Sequence, residues 1–347
     1  MNSTKSIHFP AEWQLQSAVM LTWPHAQTDW APVLADVIPC FTAIAQAIVP
    51  REKLIIVCRS IDEVKRDLGD IDFSQIIFRE IPSNDTWARD HGPISVVAGG
   101  KPCLLDFAFN GWGLKFPANH DNQITKRLFE SGVFSPNVLL KNMQFMVLEG
   151  GSIESDGDGT ILTTAQCLLS ANRNSCKSQS EIDEFLKFIF EAKQVLWLHN
   201  GYLAGDDTDS HIDTLARFCD PETIAYVQCA DPNDEHYNAL SAMESELKTF
   251  KTLSGKPYRL IPLPMATPVY DNGERLPATY ANFLIINEAV LMPVYDSPLD
   301  EIAKSALQTV FPNREIIGIN CLPLIKQHGS LHCVTMQLPD GFIEKTI

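Results

Sequence analysis

The sequence predicts an α/β protein in which about five strand-loop-strand-helix units close into one ring. Three observations carry that prediction. A β-rich segment recurs at intervals of 50 to 69 residues, helical periodicity follows most of these segments, and no linker or low-complexity stretch divides the 347 residues. The segments lie at Gln75–Pro82, Gln144–Leu148, Gln194–Leu198, Tyr258–Pro262 and Glu315–Ile319. Each is rich in β-branched or aromatic residues and bounded by turn formers, the composition that suits a pleated, half-buried strand. Helices are expected at 30–49, 61–69, 121–131, 179–193, 234–253 and 298–311. In 179–193, for example, Ile182, Phe185, Leu186 and Ile189 mark one face at the helical period. A single domain over 1–347 is therefore expected, with an open doubly wound sheet as the alternative. No Gly-x-Gly-x-x-Gly opens a helix and no phosphate-cradling Gly-x-x-x-x-Gly-Lys motif occurs, so a nucleotide site has no support.

Composition narrows the function. Acidic residues outnumber basic ones by 43 to 27, for a net charge of −16, while 45% of residues are hydrophobic. That charge would repel phosphate backbones, so nucleic acid is not expected as a partner, whereas a small cationic substrate is compatible. Met1–Pro10 has no apolar run of the secretory kind, and the apolar stretch Val37–Val49 is broken by Pro39 and Gln46, so neither export nor membrane insertion is expected. Nine widely spaced cysteines with no Cys-x-x-Cys pair suit reduced thiols in the cytoplasm. The oligomeric state stays open, a homo-oligomer included.

The unusual polar residues gather in the loops after the recurring strands. These loops contain Asn84–Pro93, Glu149–Ser152, Gly205–Asp213, Thr279–Asn282 and His328–Cys333. Asp90, His211 and Cys333 stand 15, 17 and 18 residues after their respective strand starts, so a ring of repeats would bring them together. Each residue also has a plain explanation. Asp90 could be a turn acceptor, His211 and Asp213 could open a helical segment through Phe218, Cys333 could be an inert core thiol, and Glu149 could receive turn N–H groups.

Metal readings fare worse. A calcium loop begun at Asp207 places Phe218 where a bidentate glutamate belongs, and one begun at Asp156 places Cys167 there. His328 and His332 are four apart, but Gly329 and Ser330 make a helix there doubtful, so no metal is expected. A thiol, a histidine and several carboxylates instead suit attack on the carbon of a planar cation. Two aspartates can hold the N–H fork of a guanidinium while the thiolate of Cys333 attacks and His211 moves protons. Surrounding carboxylates should raise the thiol pKa and the bound cation should lower it, so the substrate helps to ionise its own nucleophile.

The runs Pro10–Trp13, Thr22–His25, Asn84–Pro93, Phe109–Gly113, Glu149–Ile153, Asp207–Asp213, Tyr280–Phe283 and His332–Thr335 resemble, in collinear order, the agmatine deiminase family of guanidine-modifying enzymes. The resemblance implies the five-bladed pentein α/β propeller. It also implies hydrolysis of agmatine to N-carbamoylputrescine and ammonia, a step in polyamine synthesis, with no cofactor. By the same resemblance Cys333 is the nucleophile, His211 the acid/base, and Asp90 and Asp213 the guanidinium-binding pair. Glu149 is the further acidic residue, Asn282 a pocket asparagine, and Trp87 a wall of the substrate channel.

Two departures stand out. Glu154 replaces a histidine of many relatives, and Gly329-Ser330 shortens a glycine run; both are expected near the pocket mouth, where they would bear on tail specificity. Other guanidino substrates (arginine, peptidyl-arginine), amidino transfer, and a non-enzymatic binding protein on the same propeller are the alternatives. The presence of Cys333, His211 and both aspartates counts against the last.

Overall fold

In the computed structural model, which describes residues 6–344 apart from Cys176, the β-branched runs pair into five separate sheets of three or four strands. Three sheets share one layout. Ile153–Ser155 and Thr160–Thr164 form an antiparallel pair, and Gln194–Leu198 joins the second strand in parallel. Ala216–Asp220, Thr223–Gln228 and Arg259–Pro264 repeat this arrangement, as do Leu284–Ile286, Ala289–Val294 and Glu315–Asn320. A parallel neighbour requires a crossover, and the helices Gln179–Phe190, Tyr237–Leu247 and Asp300–Val310 lie in those crossovers. A fourth sheet contains Ile94–Ala98, Lys101–Ala108 and Leu139–Val147, with Ile7–His8 at its edge. The fifth runs Thr335–Pro339, Gln16–Thr22, Lys53–Cys58, Ile76–Glu80, so the last strand of the chain pairs antiparallel with an early one. The fold is mixed α/β.

The recurrence expected from sequence is present, but its phase differs. Each segment taken as the opening of a unit lies in the last, parallel strand of a sheet. First strands such as Ile153–Ser155 and Leu284–Ile286 are only three residues long, too short to give a periodic signal of their own. The loops singled out above are therefore the links from one sheet to the next. The helices fall where expected with trimmed ends; Gln179–Phe190 begins at a capping box, Ser178 with Glu181, and stops at Glu191. The helical segment expected from His211 to Phe218 is instead a single 3-10 turn, Ile212–Thr214, followed by a strand. Pairing with Thr223–Gln228 captures Ala216–Asp220, a tertiary partner that local periodicity does not register.

Ala31–Ile48, a 3-10 turn running into a helix, has a mean hydropathy of 1.6 over 18 residues. By length and composition alone it could span a bilayer, and it is longer than the Val37–Val49 run weighed above. Here Val37, Phe41, Ile44 and Ile48 are buried in the largest apolar cluster, with Leu54, Ile56, Ile224 and Val290 of three sheets. Cys176 and residues 1–5 of the Met1–Pro10 stretch lie outside the described residues; the other eight cysteines are buried and free.

Candidate active site

Each of the five links delivers a polar residue to one place. Link 81–93 carries Asp90 on the short helix Ala88–His91, and 148–152 carries Glu149. Link 199–215 carries His211 and Asp213, 265–283 carries Asn282, and 321–334 carries Cys333. Their convergence is measured at Gly151. A Cβ built there would stand 2.7 Å from His211 Nδ1, 2.8 Å from Asp90 Oδ1 and 3.2 Å from Asp213 Oδ2. Only glycine leaves room at that point. All six side chains are at most 4% exposed, so charges among them act with little screening by water.

Asp90 accepts from Gly151 N at 3.0 Å and from the Trp112 indole N–H at 2.9 Å, and lies 3.5 Å from His211 Nδ1. Burial, only partly offset by His211, pushes its carboxyl up to about 6. Burial opposes a charge on His211, but Asp90 first, then Cys167 and Glu149, hold its pKa well above the usual histidine value. Neither ring nitrogen of His211 has a hydrogen-bond partner among the described residues. Asp213 behaves in the opposite way to Asp90. Burial works against its charge, yet the hydrogen bond and charge of His332 keep its pKa below the ordinary aspartate value.

Cys333 Sγ lies 4.0 Å from Asp213 Oδ2 and 3.4 Å from Asn282 Oδ1. Burial, followed by Asp213 and Asp90, pushes its thiol well above the usual range, the direction expected from sequence. Asn282 is spent on holding this loop. Its Oδ1 accepts from His332 N at 2.9 Å and Cys333 N at 3.3 Å, and its Nδ2 donates to Asp213 O at 3.3 Å. Glu149 Oε1 accepts from Arg173 Nε at 2.8 Å, leaving Oε2 without a partner among the described residues. Among the described residues, Glu149, Cys167 and His211 offer ligand atoms within 4.8 Å of one another and could hold a metal ion. The Arg173 guanidinium on Glu149 competes with a cation there.

A cavity of about 430 Å³ opens onto Asp90 and Cys333 and is walled by Trp87, Trp112 and Phe116. Asp29, Asp85 and Asp207 also line it, with His328 and Gly329. Burial raises both Asp85 and Asp207 to about 6. A Cβ on Gly329 would fall 2.0 Å from the Trp87 ring, so the shortened glycine run still includes the residue that leaves room for Trp87.

Behind the site is a second charged layer. His332 bridges Asp213 and Glu12; Arg217 pairs with Glu12 at 3.0 Å and with Glu154; Arg89 lies 3.6 Å from Glu12. A rear cavity of about 590 Å³ reaches Glu12, Arg89 and Glu154. Glu154 thus belongs to this rear layer and not to the pocket mouth, because the buried Arg217 guanidinium needs a second carboxylate. Glu12, Arg89, Trp112 and His332 all sit inside motifs quoted above, which was their only signal. Cys167, Arg173 and Arg217 lie outside those motifs, and nothing local marked them.

The mixed α/β architecture and the thiol–imidazole–carboxylate cluster define a class, the C–N bond hydrolases of the pentein superfamily. The chain belongs to the Porphyromonas-type peptidyl-arginine deiminase family, whose profile matches residues 8–339. It is 32% identical to a Shewanella baltica protein provisionally named agmatine deiminase, over 98% of this chain and 96% of that one. A solved Porphyromonas gingivalis protein, provisionally named arginine deiminase, superposes with a TM-score of 0.94 at 57% identity over 98% of this chain and 100% of that one. The C. jejuni agmatine deiminase, solved as a cysteine-to-serine variant with substrate bound, gives 0.92 at 38% identity over 99% of both chains.

Proposed function

We propose that this protein is an agmatine deiminase, converting agmatine and water to N-carbamoylputrescine and ammonia without metal or cofactor. The carrying observation is the convergence of Asp90, His211 and Asp213 on one point beside the Cys333 thiol. In this reading Asp90 and Asp213 accept N–H groups from the guanidinium. The docked cation offsets the two carboxylates that raise the thiol, and Cys333 loses its proton to solvent. The thiolate adds to the guanidinium carbon, forming a C–S bond. His211, held protonated by Asp90, gives its proton to one terminal nitrogen, and the C–N bond breaks to release ammonia and leave a thiouronium ester. His211 then takes a proton from water as its oxygen adds to the same carbon. The C–S bond breaks as the remaining hydroxyl proton passes to the departing sulfur, which restores the thiol, and the neutral ureido product leaves.

The cavity supports a substrate with a cationic tail. Four aspartates line it and, among the described residues, no lysine or arginine does. The amine of agmatine would meet carboxylates there, while the α-carboxylate of arginine would find no cation. Arginine or peptidyl-arginine remains the second reading, favoured by the family's name and by the 57% identical relative. The five sheets, with the last strand of the chain paired to the early strand Gln16–Thr22, support a closed five-bladed propeller of one domain. The eight buried free cysteines suit a reducing cytoplasm, and supply of putrescine for polyamine synthesis is the matching role. The test is to give agmatine, arginine, a blocked arginyl peptide and methylated arginine separately and measure ammonia and ureido product. Agmatine should be preferred by at least ~10²-fold in kcat/KM, the scale of a misplaced charge. Equal or greater turnover of a carboxylate-bearing substrate would overturn the assignment, and product appearing only when an acceptor amine is present would indicate amidino transfer.

A further inference from the structure

We propose that Glu12 and His332 are positioning residues for this reaction: clamped between Glu12 and Asp213, His332 fixes the direction and the charge of Asp213 and so the seat of the guanidinium beside Cys333. This rests on reading Asp213 as a guanidinium partner.

His332 precedes Cys333 in sequence, yet it does not line the front cavity. Its Nδ1 lies 2.7 Å from Asp213 Oδ2 and its Nε2 lies 2.7 Å from Glu12 Oε2, with all three side chains nearly sealed from solvent. A neutral imidazole donates through one nitrogen only, so both contacts are hydrogen bonds only when two protons are shared among the ring and the two carboxyls. Asp213 must be ionised to hold a cation. Glu12 faces Arg217 Nη2 at 3.0 Å and Arg89 Nη2 at 3.6 Å, and its remaining oxygen accepts from Ile285 N at 2.7 Å, a setting that keeps it anionic. Both protons therefore belong to the ring. Burial, then Arg217 and Arg89, outweigh Glu12 and Asp213 and hold the ring's pKa below the ordinary histidine value; against that, the paired 2.7 Å contacts to two carboxylates favour the imidazolium.

The consequence falls on Asp213. Oδ2 is occupied by His332, whereas Oδ1 is buried with no partner among the described residues. One acceptor is thus left unpaired on a carboxylate held anionic. Asn282 ties the backbone N–H of His332 and of Cys333 to the same carbonyl oxygen, so the clamp and the thiol move as one unit.

The experiment compares kcat, KM and the pH profile of kcat/KM for agmatine in the unaltered protein, His332→Asn and Glu12→Gln. His332→Asn removes a charge-assisted hydrogen bond and should raise KM by ~10- to 100-fold. Because Asp213 loses the partner that keeps it ionised, the acid limb should also move to higher pH, by about one unit. Glu12→Gln keeps a neutral acceptor and should move both in the same direction by a few-fold. A merely structural role would lower the melting temperature and the active fraction while leaving KM and the acid limb of that fraction unaltered, and that result overturns the proposal. Should His332→Asn fail to fold, Glu12→Gln decides by the same criterion. If the unaltered protein turns over no guanidino compound, the functional reading has failed. The ¹⁵N ring signals of His332 then decide this one separately: two N–H signals at pH 7 support it, and one overturns it.

Discussion

Asp90 and Asp213 reach the same point from different links, and their chemistry is opposite. Asp90 is served by neutral donors, a backbone N–H and an indole N–H, and burial lifts its carboxyl to about 6. Asp213 is served by His332 and backed by Arg217, and it stays more acidic than an ordinary aspartate. Similar placement therefore does not give similar charge; the layer behind each carboxylate decides it. The softer Asp90 suits the side of the site where His211 exchanges protons, and the fixed anion Asp213 suits the side where the cation is gripped.

The largest expected effect comes from removing the thiol that stands beside Asp213. Cys333→Ala should lower turnover at least ~10³-fold while agmatine still binds by calorimetry, because the two carboxylates are untouched. Retained turnover would refute the nucleophile. Next come the carboxylates. Asp213→Asn should cost about 10³-fold in kcat/KM at every pH, since it removes a fixed charge partner. Asp90→Asn should cost about 10²-fold near neutral pH and less below pH 6, where the native carboxyl is already protonated. Equal losses with the same pH dependence would erase the distinction. Gly151→Ala places a methyl within 2.8 Å of His211 and Asp90 and should lower kcat by about 10²-fold through misplacement of both.

The smallest effect is on stability, and there the two aspartates should differ in sign. Asp90, with its folded pKa raised, takes up a proton on folding between the ordinary aspartate value and about 6, so its contribution to stability falls as pH rises through that window. Asp213, with its folded pKa lowered, contributes stability above the ordinary aspartate value, and this is lost as pH falls through its folded pKa. At pH 7.5 Asp90→Asn should raise the melting temperature by about 1–2 °C and Asp213→Asn should lower it by about as much or more. Shifts of the same sign in differential scanning calorimetry would remove the charge comparison.

The proposed chemistry was legible because its residues sit in short, unusual runs. Asn84–Pro93 and Asp207–Asp213 combine charge, aromatic rings and turn formers in ways no strand or helix needs. Trp87 and Cys333 lie at the front cavity as expected from sequence, while Asn282 is turned against the Cys333 loop. The recurring β segments were visible too, since these partly buried last strands are rich in β-branched and aromatic residues between turn formers. Their phase was not, because a three-residue strand such as Leu284–Ile286 gains its identity only from the neighbour it pairs with.

By itself the sequence determined which side chains could do chemistry and that strands recur around the chain, for these follow from residue type and local period. Only the tertiary structure decided which charges face one another. Glu12 and His332 are 320 positions apart, and Glu154 meets Arg217 across 63. Coulomb energy depends on distance in space and on the water excluded between partners, and neither quantity is written along the chain.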